Sequence, residues 1–378
     1  MKTLTALATL AALGLAGAAS AEIRIGATLS ETGPAAFLGD PEAKTLRMLV
    51  DKVNAAGGVN GEEIALTLYD DGGDPNKART FATRLVEDDE VVAIIGGTTT
   101  GASMSIIPVA EDAEIPFISL AGAIEIIDPV KEWVFKTPHT DRMACQKIFE
   151  DMKARGITKI GLISGTDGFG ASMRKQCLDV VGDYGIEILA DESYGPTDAD
   201  MTPQLTNIKS TAGIEAVLNP GFGQGPSIVT RNYQQLAVGL PLYQSHGVAS
   251  KGFIDLAGPA AAEGVRLPGT ALLVGDLLAA DDPQKPVVDA YVSEYTAANG
   301  EAPSTFGGYA HDAFAILVDA LKRAGSTEPS DIRDAIEKTS GLAGTTGVVT
   351  MTPEDHLGFD LSAFRMLEIK DGTWTLVQ

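Results

Sequence analysis

The sequence has few of the residues that build metal centres and nucleic-acid surfaces. Two cysteines are too few for a cysteine-based zinc site, and the four histidines show no metal-ligand spacing. Lysine and arginine number 28 against 51 aspartates and glutamates, for a formal net charge of −23. Because binding to phosphates needs a basic face, this balance argues against nucleic acid. We therefore expect no metal, no other cofactor and no nucleic-acid partner.

Long apolar runs are absent beyond the first residues. Residues 1–21, MKTLTALATLAALGLAGAASA, combine the early cation Lys2 with an apolar run and a final Ala19-Ser20-Ala21, a pattern typical of a cleaved export signal. The run is too short to span a bilayer core of ~30 Å, and no later stretch reaches the roughly 18 apolar residues needed. We predict an exported protein, cleaved after Ala21 and not inserted in the membrane.

The two cysteines, Cys145 and Cys177, fall on predicted helices that flank one strand. An exported protein can hold a disulfide. The sequence leaves two alternatives open, a bridge between these helices or two separate buried thiols.

Strand and helix patterns alternate along the chain, and they do so twice. In the first half the apolar strand IRIGATLS is followed by a turn-rich segment, residues 31–41, and then by the helical pattern AKTLRMLVDKVNAAGG. After KTPHT, where Pro138 disfavours a continuous helix, the alternation restarts. This pattern predicts an α/β fold with two doubly wound parallel-sheet lobes, each sheet covered by helices on both faces.

The predicted strands end in small or polar clusters. Ligands of open parallel sheets bind beyond the carboxyl ends of the strands, so two facing lobes would form a cleft lined by these clusters. The clusters are LSETGP, GGTTTG, SLAGA, SGTDGFG, NPGFGQG and SHGVAS.

Motifs for catalysis or nucleotide binding are weak. Gly221, Gly223 and Gly225 follow a predicted strand, but the dinucleotide fingerprint needs a glycine where Pro226 stands, and an acidic residue about 20 positions on is missing. No nucleophile elbow is present. His246 lies at a predicted strand end, where it could be a general base, a hydrogen-bond donor to a ligand or a surface residue.

The segment IIGGTTTG, from Ile94 to Gly101, points to anion binding. A strand ends there and a helix begins, and the amides of a helix N-terminus hold a carboxylate without any lysine. One threonine could simply cap the helix, but three in a row after two glycines favour an oxyanion site. Gly96 and Gly97 would let a ligand approach the backbone.

The order of these segments carries a family resemblance. An export signal, IRIGATLSETGPAAFLGD, NAAGGVNG, LYDDGGDPNKA and IIGGTTTG resemble the branched-chain amino-acid-binding family, the type I periplasmic solute-binding proteins of ABC transporters. The resemblance covers essentially the whole mature chain. It implies a non-enzymatic periplasmic protein that delivers its ligand to a membrane permease. It also implies three hinge crossovers between lobe 1 (22–138 and about 271–345) and lobe 2 (139–270 and about 346–378).

The resemblance further implies a ligand site between the lobes. The ligand carboxylate would bind Thr100 and nearby amides, the second lobe would close with aromatic side chains, and Leu38 or its neighbour would cover the ligand side chain. The implied site residues are Phe37, Leu38, Thr99, Thr100, Ala121, Gly122, Ala123, Phe169, Phe222 and His246.

Two departures from the family pattern bear on the ligand. Amino-acid binders of this family usually have Ser or Thr where Ala123 stands, and an acidic partner for the ligand ammonium near His246. A buried ammonium without such a partner is costly. We therefore expect a small aromatic carboxylate of the benzoate or hydroxybenzoate type, as in an aromatic-acid-binding subgroup. The alternatives are a branched-chain or other aliphatic amino acid, a ligand-sensing module of a receptor, and an exported enzyme using His246.

Overall fold

The computed structural model describes residues 22–377, so the predicted signal peptide lies outside the described residues. The first sheet has five parallel strands in the order β2-β1-β3-β4-β5. They are β1 (Ile23–Leu29), β2 (Ile64–Asp70), β3 (Ala93–Gly96), β4 (Phe117–Ser119) and β5 (Val134–Lys136). Strand β1 is buried except at Arg24, as expected for a central parallel strand covered on both faces.

Helices α1 (Ala36–Ala55), α2 (Pro75–Glu87) and α3 (Thr100–Ala113) follow β1, β2 and β3. Helix α1 begins at Ala36, within the segment that the sequence predicted as a turn. A side chain at Gly39 would lie 2.2 Å from the Ser30 carbonyl oxygen, so this bare turn of helix packs directly on the end of β1. That contact favours an early helix start although Pro41 removes one backbone hydrogen bond.

The second sheet has seven strands in the order β14-β13-β10-β9-β8-β6-β7. Its parallel part comprises β6 (Lys159–Gly165), β7 (Glu187–Tyr194), β8 (Ala216–Asn219), β9 (Leu242–Gln244) and β10 (Arg266–Gly269). The helices of this part are α4 (Asp141–Ala154), α5 (Gly168–Val180), α6 (Thr202–Ser210), α7 (Gln224–Gln235), α8 (Lys251–Ala257) and α9 (Pro259–Ala262).

The last part of the chain packs helices against the first sheet and adds strands to the second. Helices α10 (Lys285–Asn299), α11 (Thr305–Ala324) and α12 (Pro329–Glu337) precede the short pair β11 (Leu342–Ala343) and β12 (Val348–Val349). The chain then adds β13 (Arg365–Lys370) and β14 (Thr373–Leu376) to the second sheet.

The edge of the second sheet differs from the prediction of purely parallel lobes. Strand β13 pairs antiparallel with β10, and β14 pairs antiparallel with β13. The tight turn at Asp371 and Gly372, both with positive φ, accounts for the pairing of β14 with β13, because strands joined by a short hairpin can only be antiparallel. The α/β class and the parallel core of both sheets are confirmed.

The chain passes between the sheets at three places. These are the segment between β5 and α4, the 3-10 helix Ala271–Leu277 after β10, and the segment before β13. Val349 and Met351 pack in the core beneath α1 and α11, and the lobe bounds given above stay a prediction.

A disulfide joins Cys145 on α4 to Cys177 on α5, which settles the alternative left open by the sequence. Both helices cover one face of the second sheet, in a core that continues to α2 and α3 of the first. Among the helices of residues 22–377, none is both long and apolar enough to cross a membrane. The same residues contain no group of His, Cys, Asp and Glu that could hold a metal ion.

Candidate functional site

A small cavity lies between the two sheets, where loops that follow their parallel strands meet. Its volume is about 40 Å³, compared with about 10–15 Å³ for one water molecule. A cavity of this size suits a small solute. The lining residues are Leu38, Thr98, Thr99, Thr100, Leu120, Ala121, Gly122, Pro138, Phe169, Phe222, His246, Gly247, Phe306 and Tyr309.

The structure brings most of the predicted site residues together around this cavity. Those that line it are Leu38, Thr99, Thr100, Ala121, Gly122, Phe169, Phe222 and His246. Phe37 does not: it is 37% exposed, and its ring packs 5.8 Å from that of Phe306 and 6.4 Å from that of Phe222. Ala123 lies outside the lining as well, because its side chain is fully buried in the core beneath the turn.

The three threonines of the TTT run have different partners. Thr98 accepts a hydrogen bond from the Ser30 amide (3.1 Å) and donates one to the Glu42 carboxyl (2.5 Å). Thr99 caps α3 by accepting from the Ala102 amide (3.2 Å). The hydroxyl of Thr100 is buried and has no hydrogen-bond partner within the described residues. The predicted oxyanion site therefore depends on Thr100 and not on the run as a whole.

Glu42 explains why a threonine is needed at position 98. Its carboxyl is buried, and burial raises the pKa of Glu42 well above its usual value. The Thr98 hydroxyl supplies one partner for this group, although its Oε1 atom has none in the described part of the chain. Thr98 is thus a structural residue of the cavity wall.

The two glycines before the threonines are required by the fold itself. A side chain at Gly96 would lie 2.3 Å from the Thr28 carbonyl oxygen, and one at Gly97 would lie 2.4 Å from Ser103 Oγ. Both residues also have positive φ angles, 152° and 64°. Close packing of β3 and α3 is therefore reason enough for both glycines, and the approach of a ligand to their backbone stays a prediction.

Gly122 marks the contact between the two walls of the cavity. A side chain there would lie 2.7 Å from Phe169 Cε2 and 3.0 Å from His246 Nε2. Gly122 follows β4 of the first sheet, whereas Phe169 and His246 follow β6 and β9 of the second. This glycine therefore lets the two lobes approach each other.

The second lobe contributes an aromatic wall. Phe169 lies in the first turn of α5, which Asp167 caps by accepting from the Phe169 and Gly170 amides, each at 3.0 Å. Its ring makes edge contacts with Phe222 (centroids 6.2 Å apart) and with His246 (5.3 Å). These contacts fix the apolar side of the cavity.

His246 is buried and uncharged. Burial and the nearby Lys136 lower the pKa of His246 to about 3, so the ring is neutral at physiological pH, and its Nδ1 atom has no partner in the described chain. A base with so low a pKa accepts protons poorly at neutral pH. This environment argues against the enzyme alternative and leaves a neutral polar group at the cavity wall.

Helix α11 supplies two further lining residues, Phe306 and Tyr309. The Tyr309 hydroxyl is buried without a partner in the described residues, and burial raises its pKa. These residues follow the other cavity residues by more than fifty positions. Their helical pattern alone gives no sign that they reach the site.

No acidic side chain lines the cavity. Its side-chain polar atoms without partners among residues 22–377 are the Thr100 hydroxyl, the His246 Nδ1 atom and the Tyr309 hydroxyl. The cavity therefore offers neutral hydrogen-bonding groups and backbone beside aromatic rings.

Comparisons with known proteins support the fold and a binding role. A Leu/Ile/Val-binding protein homolog of Brucella melitensis is 32% identical over 231 residues, which are 58% of this chain and 57% of the relative. The leucine-, isoleucine-, valine-, threonine- and alanine-binding protein of Pseudomonas aeruginosa is 25% identical over 93% of this chain and 90% of its own length.

Solved structures agree in fold. An extracellular ligand-binding receptor from Rhodopseudomonas palustris HaA2 superposes with a TM-score of 0.88 at 31% identity, over 94% of this chain and all of that chain. A branched-chain amino acid transporter substrate-binding protein from Streptococcus pneumoniae, solved in complex with isoleucine, gives 0.82 at 23% identity over 94% and 98% of the two chains. The latter comparison shows the fold alone.

The family profile described as periplasmic binding protein matches residues 22–373, nearly the whole described chain. The two-sheet fold, the cavity between the sheets and this match lead to one conclusion: the chain belongs to the periplasmic binding protein family, whose members bind substrates and do not transform them.

Proposed function

We propose that this protein is the solute-binding component of an ABC transporter, and that it captures a small carboxylate with an apolar body for delivery to a membrane permease. One observation carries the proposal: the buried Thr100 hydroxyl, at the N-terminus of a 14-residue helix, lines the cavity without a partner among residues 22–377. Helix N-terminal amides and a hydroxyl together can satisfy a carboxylate. Cleavage after Ala21 and a periplasmic location are part of this proposal.

The lobe arrangement supports capture by closure. The polar and aromatic walls come from different sheets and meet at Gly122, so hinge opening at the crossovers would expose both to solvent. Closing removes the ligand from water, and hydrogen bonds to its carboxylate are strongest in such surroundings.

The first candidate for the ligand is a branched-chain or other aliphatic amino acid. Both curated relatives described above are named for leucine, isoleucine and valine binding. These names favour this candidate over an aromatic acid. Its ammonium group would have to donate to neutral acceptors, such as backbone carbonyls or the Nδ1 atom of His246.

The second candidate is a carboxylate without an ammonium group, of the benzoate type. Its support is specific to the cavity: no acidic side chain lines it, and Phe169, Phe222 and Phe306 provide aromatic surface. An aromatic ring between such side chains gains both burial and ring contacts.

A thermal-unfolding screen of ligand-stripped protein tests the proposal and separates the candidates. The panel contains leucine, isoleucine, valine, phenylalanine, their deaminated analogues, benzoate and 4-hydroxybenzoate. A ligand at 100 times its Kd should stabilise the protein by roughly 2.7 kcal/mol. Stabilisation by amino acids alone would support the first candidate, and stabilisation by benzoates or deaminated analogues alone would support the second. No response to any carboxylate would contradict the proposed function.

A further inference from the structure

Lys136 lies directly behind the turn that separates the two walls of the cavity. It is the last residue of β5 and is fully buried. Its Nζ atom donates to the carbonyl oxygens of Gly122 (3.0 Å) and Ala123 (3.4 Å). A fully buried lysine is rare in proteins unless its ammonium group is paired.

These hydrogen bonds set the orientation of the turn. The Gly122 carbonyl accepts a second hydrogen bond, from the Asp141 amide (3.0 Å) at the start of α4. Since Lys136 and Asp141 both lie outside the cavity lining, this carbonyl points away from the cavity. Within residues 22–377 the N–H groups of Gly122 and Ala123 have no hydrogen-bond acceptor. These two N–H groups therefore remain available to donate hydrogen bonds to a ligand.

Two carboxylates lie near the Lys136 ammonium group. Asp141 from α4 and Glu125 from the 3-10 helix Ile124–Ile126 attract its ammonium group, and the Ser172 hydroxyl on α5 lies within hydrogen-bond distance of both carboxylates. Burial nevertheless lowers the pKa of Lys136 to about 7 and raises that of Asp141 to about 6. An additional anion nearby would stabilise the charged lysine.

We propose that Lys136 is a positioning residue for the ligand carboxylate: it holds the Gly122–Ala123 carbonyls away from the cavity and places a positive charge behind the donors. Lys136 thereby selects ionised carboxylates over neutral analogues of the same shape. The inference rests on the proposed function, in that it assumes a carboxylate in this cavity.

Ligand binding should then depend on pH. The groups that face the Lys136 ammonium are Asp141, Glu125 and the rings of His139 and His246. Burial lowers the pKa of both histidines, so they stay neutral above pH 7, and the pKa of Asp141 lies below that pH. Between pH 6.5 and 8.5 Lys136 should lose its proton when the site is empty. When an anion is bound, the lysine should keep its proton across the same range. Affinity should fall by about tenfold across this range.

The test compares Lys136→Met, Lys136→Arg and the control Lys131→Met by calorimetric titration. Lys131 donates to the carbonyls of Glu125 (2.8 Å) and Ile126 (3.0 Å) on the same loop but not to those of Gly122 or Ala123. The ligands are two carboxylate–amide pairs, benzoate with benzamide and L-leucine with L-leucinamide. The variants are titrated with the pair whose carboxylate binds the wild-type protein. Thermal unfolding of each variant checks folding.

Lys136→Met should weaken carboxylate binding by about tenfold and reduce the preference for carboxylate over amide, while Lys131→Met keeps both. Lys136→Arg should retain binding and lose the pH dependence, because guanidinium does not titrate in this range. If Lys136→Met does not fold, the pH dependence of ligand binding by Lys136→Arg tests the inference. Unchanged carboxylate preference in Lys136→Met, or wild-type pH dependence in Lys136→Arg, would overturn the inference. Absence of any carboxylate binding by the wild-type protein would instead overturn the proposed function.

Discussion

The two walls of the cavity recognise a ligand by different means. The wall from the first sheet carries the hydroxyl groups at the N-terminus of α3 and the backbone of the turn after β4, beside apolar side chains such as Leu38 and Phe306, whereas the wall from the second sheet consists mainly of the rings of Phe169, Phe222 and His246. The first wall can bind a polar head group through oriented donors. The second can enclose an apolar body, and its shape rather than its charge would discriminate between ligands.

The walls are also held in place differently. Hydrogen bonds from Lys136 and Asp141 fix the polar turn, while the Cys145–Cys177 disulfide ties α5, which carries Phe169, to α4. The comparison predicts that changes to the polar wall alter affinity for all carboxylates, and that changes to the supports of the aromatic wall alter stability first.

Removal of the disulfide should have the largest effect. The bridge closes a loop with a sequence separation of 32, for which chain entropy predicts a loss of roughly 3–4 kcal/mol in the free energy of unfolding. The double variant Cys145→Ala, Cys177→Ala measured by urea denaturation checks this value. Ligand affinity below the unfolding transition should change little, and an unchanged free energy of unfolding would show that packing alone supports this wall.

Gly122→Ala should have the next largest effect, on affinity. The added methyl group meets rigid rings of the second lobe at 2.7 and 3.0 Å, and overpacking of this kind costs roughly 1–3 kcal/mol. Since opening of the lobes relieves the clash, ligand-free stability should stay near that of the wild type while Kd rises.

Gly168→Ala is the matched control for this change. Its methyl group would also lie near the opposite lobe, but at ordinary contact distances of 3.6 Å and more. Titration of both variants with the same ligand makes the comparison. Equal affinity of Gly122→Ala and Gly168→Ala would show that the walls need not meet at Gly122.

Thr100→Val should have the smallest of the three effects. It removes the hydroxyl of the run that has no partner in the described part of the chain, so carboxylate binding should weaken by roughly 1–2 kcal/mol with almost no loss of stability. Thr99→Val should show the reverse, a loss of about 1 kcal/mol of stability through the helix cap. If both variants lose affinity equally and keep their stability, the assignment of separate roles is wrong.

The sequence predicted the fold well because strand and helix periodicity is local. The short strand β5 was missed, since Val134–Lys136 is too brief to show a pattern. The early start of α1 was missed because it depends on Gly39 packing against Ser30, a contact across two elements. The antiparallel edge at β13 and β14 was not predicted either, because the residues of a strand do not show with which strand it pairs or in which direction.

The site was predicted in outline and not in detail. The position of the TTT run was informative, but the separate partners of Thr98 and Thr99 involve residues as distant as Glu42 and Ser30. The family resemblance indicated Phe169 and Phe222, yet it also indicated Ala123, whose side chain lies in the core. Lys136 gave no signal at all, since burial of a lysine follows from tertiary packing.

The central claim is that the polar wall holds the head group of the ligand. A crystal structure of the protein with the carboxylate that gives the largest thermal stabilisation tests it most directly. We predict carboxylate oxygens at roughly 2.7–3.1 Å from Thr100 Oγ1 and the backbone donors of the turn at Gly122, with the apolar body against Phe169 and Phe222. A carboxylate placed on the aromatic wall, or a ligand bound outside this cavity, would contradict the account.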